Sequence, residues 1–339
     1  MDKYFIGIMT GTSADSLDGC VVSFDKKFKL ITSTSIDHRD GYKENYELCI
    51  AAGFKTIDES KILHKLEDDL NNKTLELIQK LLKKSELNAH DISAIGFSGQ
   101  TVFHTNERSY QIGSPQQISN NSKIKVISDF RNFDIYNGGM GAPLIPAFHK
   151  YLYSEKGKRK IIFNIGGIAN GTYLDGEDIS LASDVGPGNC LMDYISNKKL
   201  NFHFDKNGES AKSGSLSQSF LDKLLEKSNK MEYPRSDDKN DYYSFIDESF
   251  FEMNASDSLN TLAHFTAQKI KDFYDFCDKP EEIIFHGGGT KNLFLMKLIK
   301  ESIGKGIKTT DEEIPSKFVE SAGFAYLAYL KRGEAFNAK

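Results

Sequence analysis

Apolar residues cluster in short runs along the chain, and many of these runs end in a loop of glycine and small polar residues. The first run, YFIGIM at residues 4–9, precedes the loop TGTSADSLDG and a second apolar run, CVVSF. This order predicts a strand, a turn and a strand. A similar unit returns at residues 160–174, where IIFNI leads into GGIANG and then TYL. Two copies of one unit predict an internal duplication.

Helical spacing of apolar residues dominates the region between the two units. Residues 56–84 predict one or two helices, on the spacing of leucines 63, 66, 70, 77 and 81. Strand-like runs followed by a glycine loop or a helix-like stretch occur at DISAIGFSG, KVISDF and EEIIFHGGGT. Strands that alternate with helices are typical of an α/β protein.

The second half of the chain contains a polar excursion and a final helical pattern. Residues 201–243 are polar and carry one clear helical stretch, around SFLDKLLEK, so we interpret them as an excursion over a site. The pattern KFVESAGFAYLAYLKR predicts a last helix that stops near Gly333. One face of that helix carries Phe318, Ala322, Ala325 and Tyr329.

Composition narrows the class of protein. A chain of 339 residues is long enough for two lobes with substantial cores. Its 27% charged residues, 39% hydrophobic residues and net charge of -5 are typical of a soluble globular protein and favour neither a nucleic-acid nor a membrane partner. No apolar run approaches the roughly 20 residues that span a bilayer, and the start MDKYFIGIM does not resemble a signal peptide. We therefore expect a cytoplasmic enzyme; a homodimer is compatible with the sequence.

The cysteines and histidines give no metal or disulfide pattern. Cys20, Cys49, Cys190 and Cys277 are scattered without a CxxC pair, which favours buried free thiols. The histidines form no HExxH or HxxxH pattern, so nothing indicates a transition-metal site.

The glycine loops are candidates for binding a phosphate chain. The sequence has no GxxxxGK[ST] and no GxGxxG pattern, which disfavours the two commonest nucleotide-binding folds. In GTSADSLDG, glycine lets backbone amides approach a ligand, Thr12 and Ser13 add hydroxyl donors, and Asp15 and Asp18 can hold Mg²⁺ through water. The alternative is an ordinary hairpin turn. The second loop, IGGIANG, favours a nucleotide held by two loops, with GGGTKN at residues 287–292 as a surface for base or ribose.

One aspartate stands out beside a turn. In LASDVGPGNCLMDYI, residues 181–195, Asp184 precedes a Gly-Pro-Gly turn and then an apolar helical pattern. A carboxylate at the end of a strand is often presented to a ligand. Aspartate is equally common as the cap of a following helix. The residues alone leave both interpretations open.

The series of motifs resembles a known family. The paired loops and the later glycine motif resemble the actin-like superfamily of sugar kinases and heat-shock ATPases. More narrowly, MTGTSADSLDG, GQTVFH, QIGSPQQI, SDFRNFDIYNGGMGAPLIPAFH, NIGGIAN, DVGPGN, DKNGESAKSG, HGGGTKNLFLM and TTDEEIPSKFVESAGFAYLA resemble, in order, the anhydro-N-acetylmuramic acid kinases. The resemblance implies a duplicated actin-like (ribonuclease H-like) α/β fold with the active site in a cleft between two lobes. Lobe I would hold residues 1–148 and 317–339, and lobe II residues 149–316.

The resemblance also implies an activity. The family uses ATP and water to open the 1,6-anhydro ring of 1,6-anhydro-N-acetylmuramic acid and to phosphorylate O6, in the recycling of cell-wall peptidoglycan. The family's base falls on Asp184, which favours catalysis over capping. The implied cofactors are ATP and Mg²⁺, the latter held through water and the ATP phosphates, with Asp15 and Asp18 as candidate residues. The implied partner is the small sugar substrate.

Further site residues follow from the same resemblance. The expected ATP-binding residues are Gly11, Thr12, Ser13, Ala14, Asp15, Ser16, Leu17, Asp18, Gly166, Gly167, Gly287, Gly288, Gly289 and Asn292. The expected sugar-binding residues are Gln100, Arg131, Gly139, Gly141, Ala142, Pro143 and Glu320. Arg131 would pair with the lactyl carboxylate or brace the reacting groups, its alternative being a surface salt bridge. Without the family, Glu320 would be only a first-turn helix carboxylate.

The sequence departs from the family pattern at four places. Ser16 replaces a glycine, Ser98 replaces a histidine before GQT, Val185 replaces a threonine beside the base, and RSDDKN stands where KSTGRE is usual. These changes bear on rate and substrate fit more than on the fold. The alternatives are an actin-like kinase for another sugar and a nucleotide-binding protein without sugar chemistry, and the latter has no use for GGMGAP or DVGPGN.

Overall fold

The chain divides into two units. A computed structural model describes residues 3–11, 14–52, 57–229 and 232–339. Unit 1 comprises Met1–Phe148 and Phe318–Lys339, and unit 2 comprises His149–Lys317. Among the described residues, no helix is long and apolar enough to cross a membrane.

In the described residues, the first part of unit 1 contains seven strands and four α-helices, and a fifth helix runs across the division. The strands are β1 (Tyr4–Thr10), β2 (Ser16–Ser23), β3 (Lys29–Asp37), β4 (Ile92–Phe97), β5 (Gln100–His104), β6 (Ser109–Ile112) and β7 (Val126–Ser128). The helices are α1 (Tyr42–Ala52), α2 (Ile57–Ser85), α3 (Pro115–Ser122), α4 (Phe130–Tyr136) and α5 (Pro146–Tyr153), the last running across the division.

The first predicted loop is shorter than its sequence indicates. Residues Ser16, Leu17 and Asp18 belong to β2, where Asp18 pairs with Met9 of β1. The prediction failed there because Asp and Gly residues are typical of turns. In the structure, antiparallel pairing with β1 holds these residues in a strand. The leucine-rich region forms one helix, α2, whose leucines 66, 70, 77 and 81 are buried.

Unit 2 has a five-stranded sheet of its own. Its strands are β8 (Arg159–Ile165), β9 (Ile168–Asp175), β10 (Asp178–Pro187), β11 (Glu282–His286) and β12 (Lys308–Thr309). Its helices are α6 (Cys190–Leu200), α7 (Glu209–Ser213), α8 (Gln218–Ser228), α9 (Lys239–Tyr243), α10 (Glu248–Glu252), α11 (Ala255–Phe276) and α12 (Leu293–Ile303). A core of residues such as Phe163, Phe273 and Phe285 joins the sheet to α11.

The chain then returns to unit 1 as α13 (Val319–Tyr329) and β13 (Glu334–Phe336). Helix α13 lies with its backbone against β1 and β4, because both strands have a glycine at the contact. A Cβ on Gly7 would lie 1.8 Å from the carbonyl oxygen of Ser321, and one on Gly96 would lie 2.1 Å from that of Phe324. These two glycines therefore set how closely the helix approaches the sheet.

The two sheets repeat one topology, which confirms the predicted duplication. Unit 1 has the strand order β13-β7-β4-β1-β2-β3, and unit 2 has β10-β9-β8-β11-β12. In each, three antiparallel strands (β1–β3 and β8–β10) are joined on one side to two parallel strands (β4 and β7; β11 and β12).

The polar excursion has more helix than predicted. The expected helix is α8, but residues 201–243 also contain α7 and α9. Each of these is five residues long, too short to show helical periodicity in the sequence. Side-chain contacts hold them instead: the Asp205 carboxylate accepts from the amides of Ser210 and Ala211, and Asp238 caps α9. All four cysteines are free and buried, as predicted.

Candidate active site

Asp184 lies on β10, at an irregularity of the β9–β10 pairing. Its backbone pairs with Asn170, and the register shifts between Asp184 and Gly186. The N-cap position of α6 is held by Asn189, so the alternative of Asp184 as a helix cap is wrong. Asp184 is only 6% exposed. Its Oδ2 accepts a hydrogen bond of 2.8 Å from the amide of Asp237.

The turn after Asp184 is tied to the second glycine loop. The amides of Gly188 and Asn189 donate to the carbonyl oxygens of Gly167 and Gly166, both over 2.9 Å. The Asn189 side chain adds a bond of 3.0 Å to the Gly166 carbonyl. A Cβ on Gly188 would lie 2.4 Å from that same carbonyl oxygen, so only glycine fits. The structure therefore brings the Asp184 strand and the predicted phosphate loop together.

The third glycine motif lies beside the second loop. Strands β8 and β11 are parallel neighbours, and the two motifs follow their carboxyl ends, which is where open α/β sheets bind ligands. Gly287, with φ +90°, and Gly289 pack on the end of β8, because a Cβ on either would lie 2.2–2.3 Å from Ile165 or Asn164. Gly288 is exposed and has no atom within 4 Å of its Cβ position. Gly288 is thus the position open to a ligand.

Asn292 has a structural task in this region. Its side-chain oxygen accepts from the amide of Leu295 over 3.0 Å, which caps α12. Its side-chain nitrogen lies 4.0 Å from the sulfur of Met192, and the residue is 9% exposed. The expected contact with ATP stays a prediction.

In unit 1, the first loop is braced from β5. The carbonyl oxygen of Gly11 accepts from the amide of Ala14 and from Nε2 of Gln100, both over 3.0 Å. The hydroxyl of Thr10 donates to Oε1 of Gln100 over 2.9 Å, and Gln100 is fully buried. Gln100 therefore fixes the start of the loop, whereas sequence reasoning had placed it in the sugar pocket; that role stays a prediction.

The remaining loop residues differ in their surroundings. Thr12 and Ser13 lie outside the described residues. Leu17 is fully buried in the core, so its side chain does not face solvent. The Asp15 carboxylate is 58% exposed and pairs with Lys43 over 2.9 Å. Asp18 is 9% exposed and accepts from the Ser16 hydroxyl over 3.2 Å.

The predicted sugar segment folds around two side chains of α4. Nη1 of Arg131 donates to the carbonyl oxygen of Gly141 over 3.0 Å, and the Asp134 carboxylate accepts from the amide of Gly141 over 2.9 Å. A Cβ on Gly139 would lie 2.0 Å from Oδ2 of Asp134. Ala142 and Pro143 follow as half-buried residues. Sequence reasoning missed Asp134, although it lies only five and seven residues before Gly139 and Gly141, the glycines that it holds.

Glu320 on α13 shares an electrostatic environment with two other predicted residues. Burial, and then the negative charge of Asp18, raise the pKa of Glu320 to about 7, while Arg131 opposes the rise. The charges of Asp18 and Arg131 thus both act on Glu320 within unit 1. The structure brings together residues that lie 302 positions apart in the sequence, Asp18 and Glu320.

The raised pKa of Glu320 predicts a pH-dependent stability. The folded protein holds this proton up to about pH 7, whereas the unfolded chain releases it near the ordinary value of 4.5. The free energy of unfolding therefore falls as pH rises from about 4.5 to about 7, by at most ~1.4 kcal/mol per pH unit. In Glu320→Gln this contribution is absent, so the urea midpoints of parent and variant should converge or cross between pH 5 and pH 8.

The matched control for this measurement is Glu107→Gln, which neutralises an exposed carboxylate of the same unit. Its midpoint should differ from the parent's by the same amount at both pH values. Parallel pH profiles for parent and Glu320→Gln would show that Glu320 ionises normally.

Sequence reasoning also missed the residues that hold Asp184. Arg235 and Asp237 lie in the RSDDKN segment, whose sequence shows only a departure from the family pattern. Their buried ion pair, 2.8 Å from Nε to Oδ2, joins side chains that are 10% and 4% exposed. The available signal was a basic residue followed closely by two acidic residues, but this pattern cannot reveal that the side chains are buried.

The fold and the glycine loops define a class. The activator of the 2-hydroxyisocaproyl-CoA dehydratase from Clostridium difficile, solved with bound ADPNP, matches with a TM-score of 0.54 over 97% of this chain and 96% of its own, at 12% identity. Component A of the (R)-2-hydroxyglutaryl-CoA dehydratase of Acidaminococcus fermentans matches with 0.53 over 97% and 99%, at 11% identity. The protein has the duplicated actin-like (ribonuclease H-like) fold.

Sequence comparison then gives the family. The profile of the anhydro-N-acetylmuramic acid kinases matches residues 3–334. The anhydro-N-acetylmuramic acid kinase of Shewanella denitrificans is 35% identical over 96% of this chain and 91% of its own, and that of Zymomonas mobilis is 31% identical over 95% and 91%. The chain belongs to the anhydro-N-acetylmuramic acid kinase family, a family of sugar kinases.

Proposed function

We propose that this protein uses ATP and water to open the 1,6-anhydro ring of 1,6-anhydro-N-acetylmuramic acid and to phosphorylate O6. The products are N-acetylmuramic acid 6-phosphate and ADP. One observation carries the proposal: a 6% exposed carboxylate, Asp184, lies on the strand whose following turn is bonded to a phosphate-type glycine loop. That arrangement suits a base that acts next to a phosphate.

The chemistry requires one proton acceptor. Water forms a bond to the anomeric carbon and gives its proton to Asp184. The bond from that carbon to O6 breaks, and O6 takes the electron pair. O6 then bonds to the γ-phosphorus as the bond to the β–γ bridging oxygen breaks, and ADP leaves. Asp184 needs no covalent intermediate, and its low exposure keeps competing water away from the carboxylate.

Each unit contains a glycine turn that suits contact with phosphate oxygens. Gly11 follows β1, and Gly166 and Gly167 follow β8, the equivalent strand of the repeat. Backbone amides in such turns stabilise the charge that develops on the phosphate oxygens. Exposed Gly288 suits contact with the adenosine.

Unit 1 also has groups that suit Mg²⁺. No group of three or more His, Cys, Asp or Glu side chains in the described parts of the chain could hold a metal ion. Asp18 is nevertheless close enough to Glu320 to raise its pKa, and a hard cation prefers such oxygen ligands. We propose that Asp18 holds Mg²⁺ through water; Asp15 is paired with Lys43. The ion would neutralise phosphate charge.

The proposed sugar substrate carries a carboxylate, which a positively charged side chain would bind. The substrate's lactyl carboxylate suits the Arg131 guanidinium, which the Gly141 carbonyl already orients. Glu320, protonated below about pH 7, can donate a hydrogen bond to a sugar oxygen. We propose that the reaction takes place in the cytoplasm, where ATP is abundant, and serves the recycling of peptidoglycan. Neither the family match nor the relatives favour another sugar or a protein without catalysis.

The test is release of ADP in a coupled assay. We expect ADP release to require 1,6-anhydro-N-acetylmuramic acid and to be absent with N-acetylmuramic acid or with no sugar. In water labelled with ¹⁸O, the label should enter at the anomeric carbon of the product before mutarotation exchanges it. Release without sugar would indicate a nucleotide hydrolase, and phosphorylation without label would indicate an ordinary sugar kinase.

A further inference from the structure

The edge of β10 beside Asp184 is covered by an irregular segment. Strand β10 is at the edge of its sheet, so its outer backbone groups need partners from elsewhere. The amide of Asp184 donates to the carbonyl oxygen of Arg235 over 2.9 Å. The amide of Arg235 donates to the Ser183 hydroxyl, also over 2.9 Å. Residues 235–237 therefore add a short stretch of backbone along the strand that carries the proposed base.

The same stretch contacts the Asp184 side chain. The amide of Asp237 donates to Oδ2 of Asp184 over 2.8 Å, two residues after the carbonyl that binds the Asp184 amide. Backbone and carboxylate of Asp184 are thus both held by one segment. A hydrogen bond to an ionised oxygen is stronger than a neutral one and fixes the rotation of the carboxylate.

Side chains lock this segment in place. Nε of Arg235 donates to Oδ2 of Asp237 over 2.8 Å, and Nη2 donates to the Val185 carbonyl oxygen over 2.5 Å. The hydroxyl of Tyr242, from α9, donates to the same Oδ2 of Asp237. The guanidinium also lies 4.8 Å from the centre of the Tyr233 ring. Arg235 therefore bridges both sides of the proposed base, Asp237 on the segment and Val185 on the strand.

The charged groups that hold this segment are buried. The side chains of Arg235 and Asp237 are 10% and 4% exposed. A buried ion pair gives little net stability compared with apolar residues, but removing one partner leaves an uncompensated charge and disturbs its surroundings. Such an ion pair is better suited to fixing the geometry of the segment than to stabilising a hydrophobic core.

We propose that Arg235, Asp237 and Tyr242 are positioning residues that orient the Asp184 carboxylate for proton transfer. The inference rests on the proposed function of Asp184 as the base. It assigns a role to the RSDDKN segment, because Arg235 and Asp237 of that segment contact the strand that carries Asp184. The three side chains act on Asp184 through the backbone of residues 235–237.

The test compares kcat with KM in four variants. Arg235→Gln should lower kcat by about 10- to 100-fold, because a displaced base loses its alignment with the reacting water. The KM for ATP should stay within about twofold, since the glycine loops are untouched. Arg235→Lys should recover part of the loss by keeping the charge beside Asp237. Asp237→Asn and Tyr242→Phe should give smaller losses in kcat alone, because both keep Arg235 and its bond to the Val185 carbonyl oxygen.

The matched control is Arg159→Gln. Arg159 pairs with Glu281 over 2.6 Å in the same unit, at the start of β8, and both side chains are exposed. Its kcat and KM should equal the parent's. If Arg235→Gln does not fold, Asp237→Asn and Tyr242→Phe decide the matter, since both nearly preserve shape. A kcat within about twofold of the parent in the folded variants would overturn the proposal, as would an equal loss in the control.

Hydrogen exchange separates this proposal from the proposed function. The Asp184 amide should exchange faster in Arg235→Gln than in the parent, with or without activity, because its acceptor is the Arg235 carbonyl. If the parent is inactive but its Asp184 amide still exchanges more slowly than that of Arg235→Gln, the proposed kinase activity is refuted, whereas the role of Arg235 in holding Asp184 stands. If the parent is an active kinase but Arg235→Gln shows unchanged exchange across residues 181–187, the role of Arg235 in holding Asp184 is refuted, whereas the proposed kinase activity stands.

Discussion

Asp184→Asn is expected to remain folded, to bind ATP, and to lose at least ~10²-fold in kcat, the scale of general-base removal. Asparagine keeps the size of the side chain and an oxygen that can accept from the Asp237 amide. It cannot take the proton of the attacking water. The fold should tolerate the change because Asp184 does not cap α6. Thermal unfolding, ATP affinity and the coupled ADP assay measure the three outcomes.

The control is Asp178→Asn on the same strand. Asp178 begins β10 and makes an exposed ion pair with Lys150 over 2.9 Å. The same substitution at an exposed pair should change kcat and stability little, because such pairs contribute little. Turnover of Asp184→Asn close to that of the parent would show that another group is the base.

Gly7→Ala should lower the free energy of unfolding by about 3 kcal/mol, the upper part of the usual cost of overpacking. The added methyl would lie 1.8 Å from the Ser321 carbonyl oxygen and 2.9 Å from the Ala325 amide nitrogen. Both are helix backbone atoms, so no side-chain rotation relieves the clash. Helix α13 must shift, and Glu320 on its first turn shifts with it. Urea unfolding followed by circular dichroism measures the loss.

Gly306→Ala provides the comparison for this variant. No atom lies within 4 Å of its Cβ position, and its φ is not positive, so the same methyl meets nothing. Its unfolding midpoint should equal or slightly exceed that of the parent. Equal midpoints for Gly7→Ala and the parent would mean that α13 does not rest on β1 as described.

Much of the fold could be predicted because local patterns agree with it. The alternation of apolar runs and glycine loops gave β1, β8 and β11, and the repeat of the first two gave the duplication that the sheets confirm. Leucine spacing gave α2. Prediction failed where contacts outside the local apolar pattern decide the structure. Asp18 is in a strand because β1 pairs with it, and Asp238 caps α9, a helix of five residues that is too short to show periodicity.

The site was predicted in parts. Motifs pointed to Asp184 and to the glycine loops, and the structure excludes the helix cap as an explanation for Asp184. The sequence could not show that Gln100 braces the first loop or that Asp237 binds the carboxylate, because each contact joins residues more than 50 positions apart. The structure does not describe Thr12 and Ser13, so their predicted role is untested.

The return of the chain to unit 1 makes the two units differ in which parts of the chain they need in order to fold. Unit 2 is one continuous stretch, His149–Lys317, and all of its residues precede α13 and β13 in the chain. Without those elements, β1 and β4 expose the glycine surface that the helix covers, and β7 lacks its partner β13. Unit 2 can therefore complete its core without residues 318–339, whereas unit 1 cannot. A chain truncated before α13 should release a folded unit 2 joined to an unfinished, protease-sensitive unit 1.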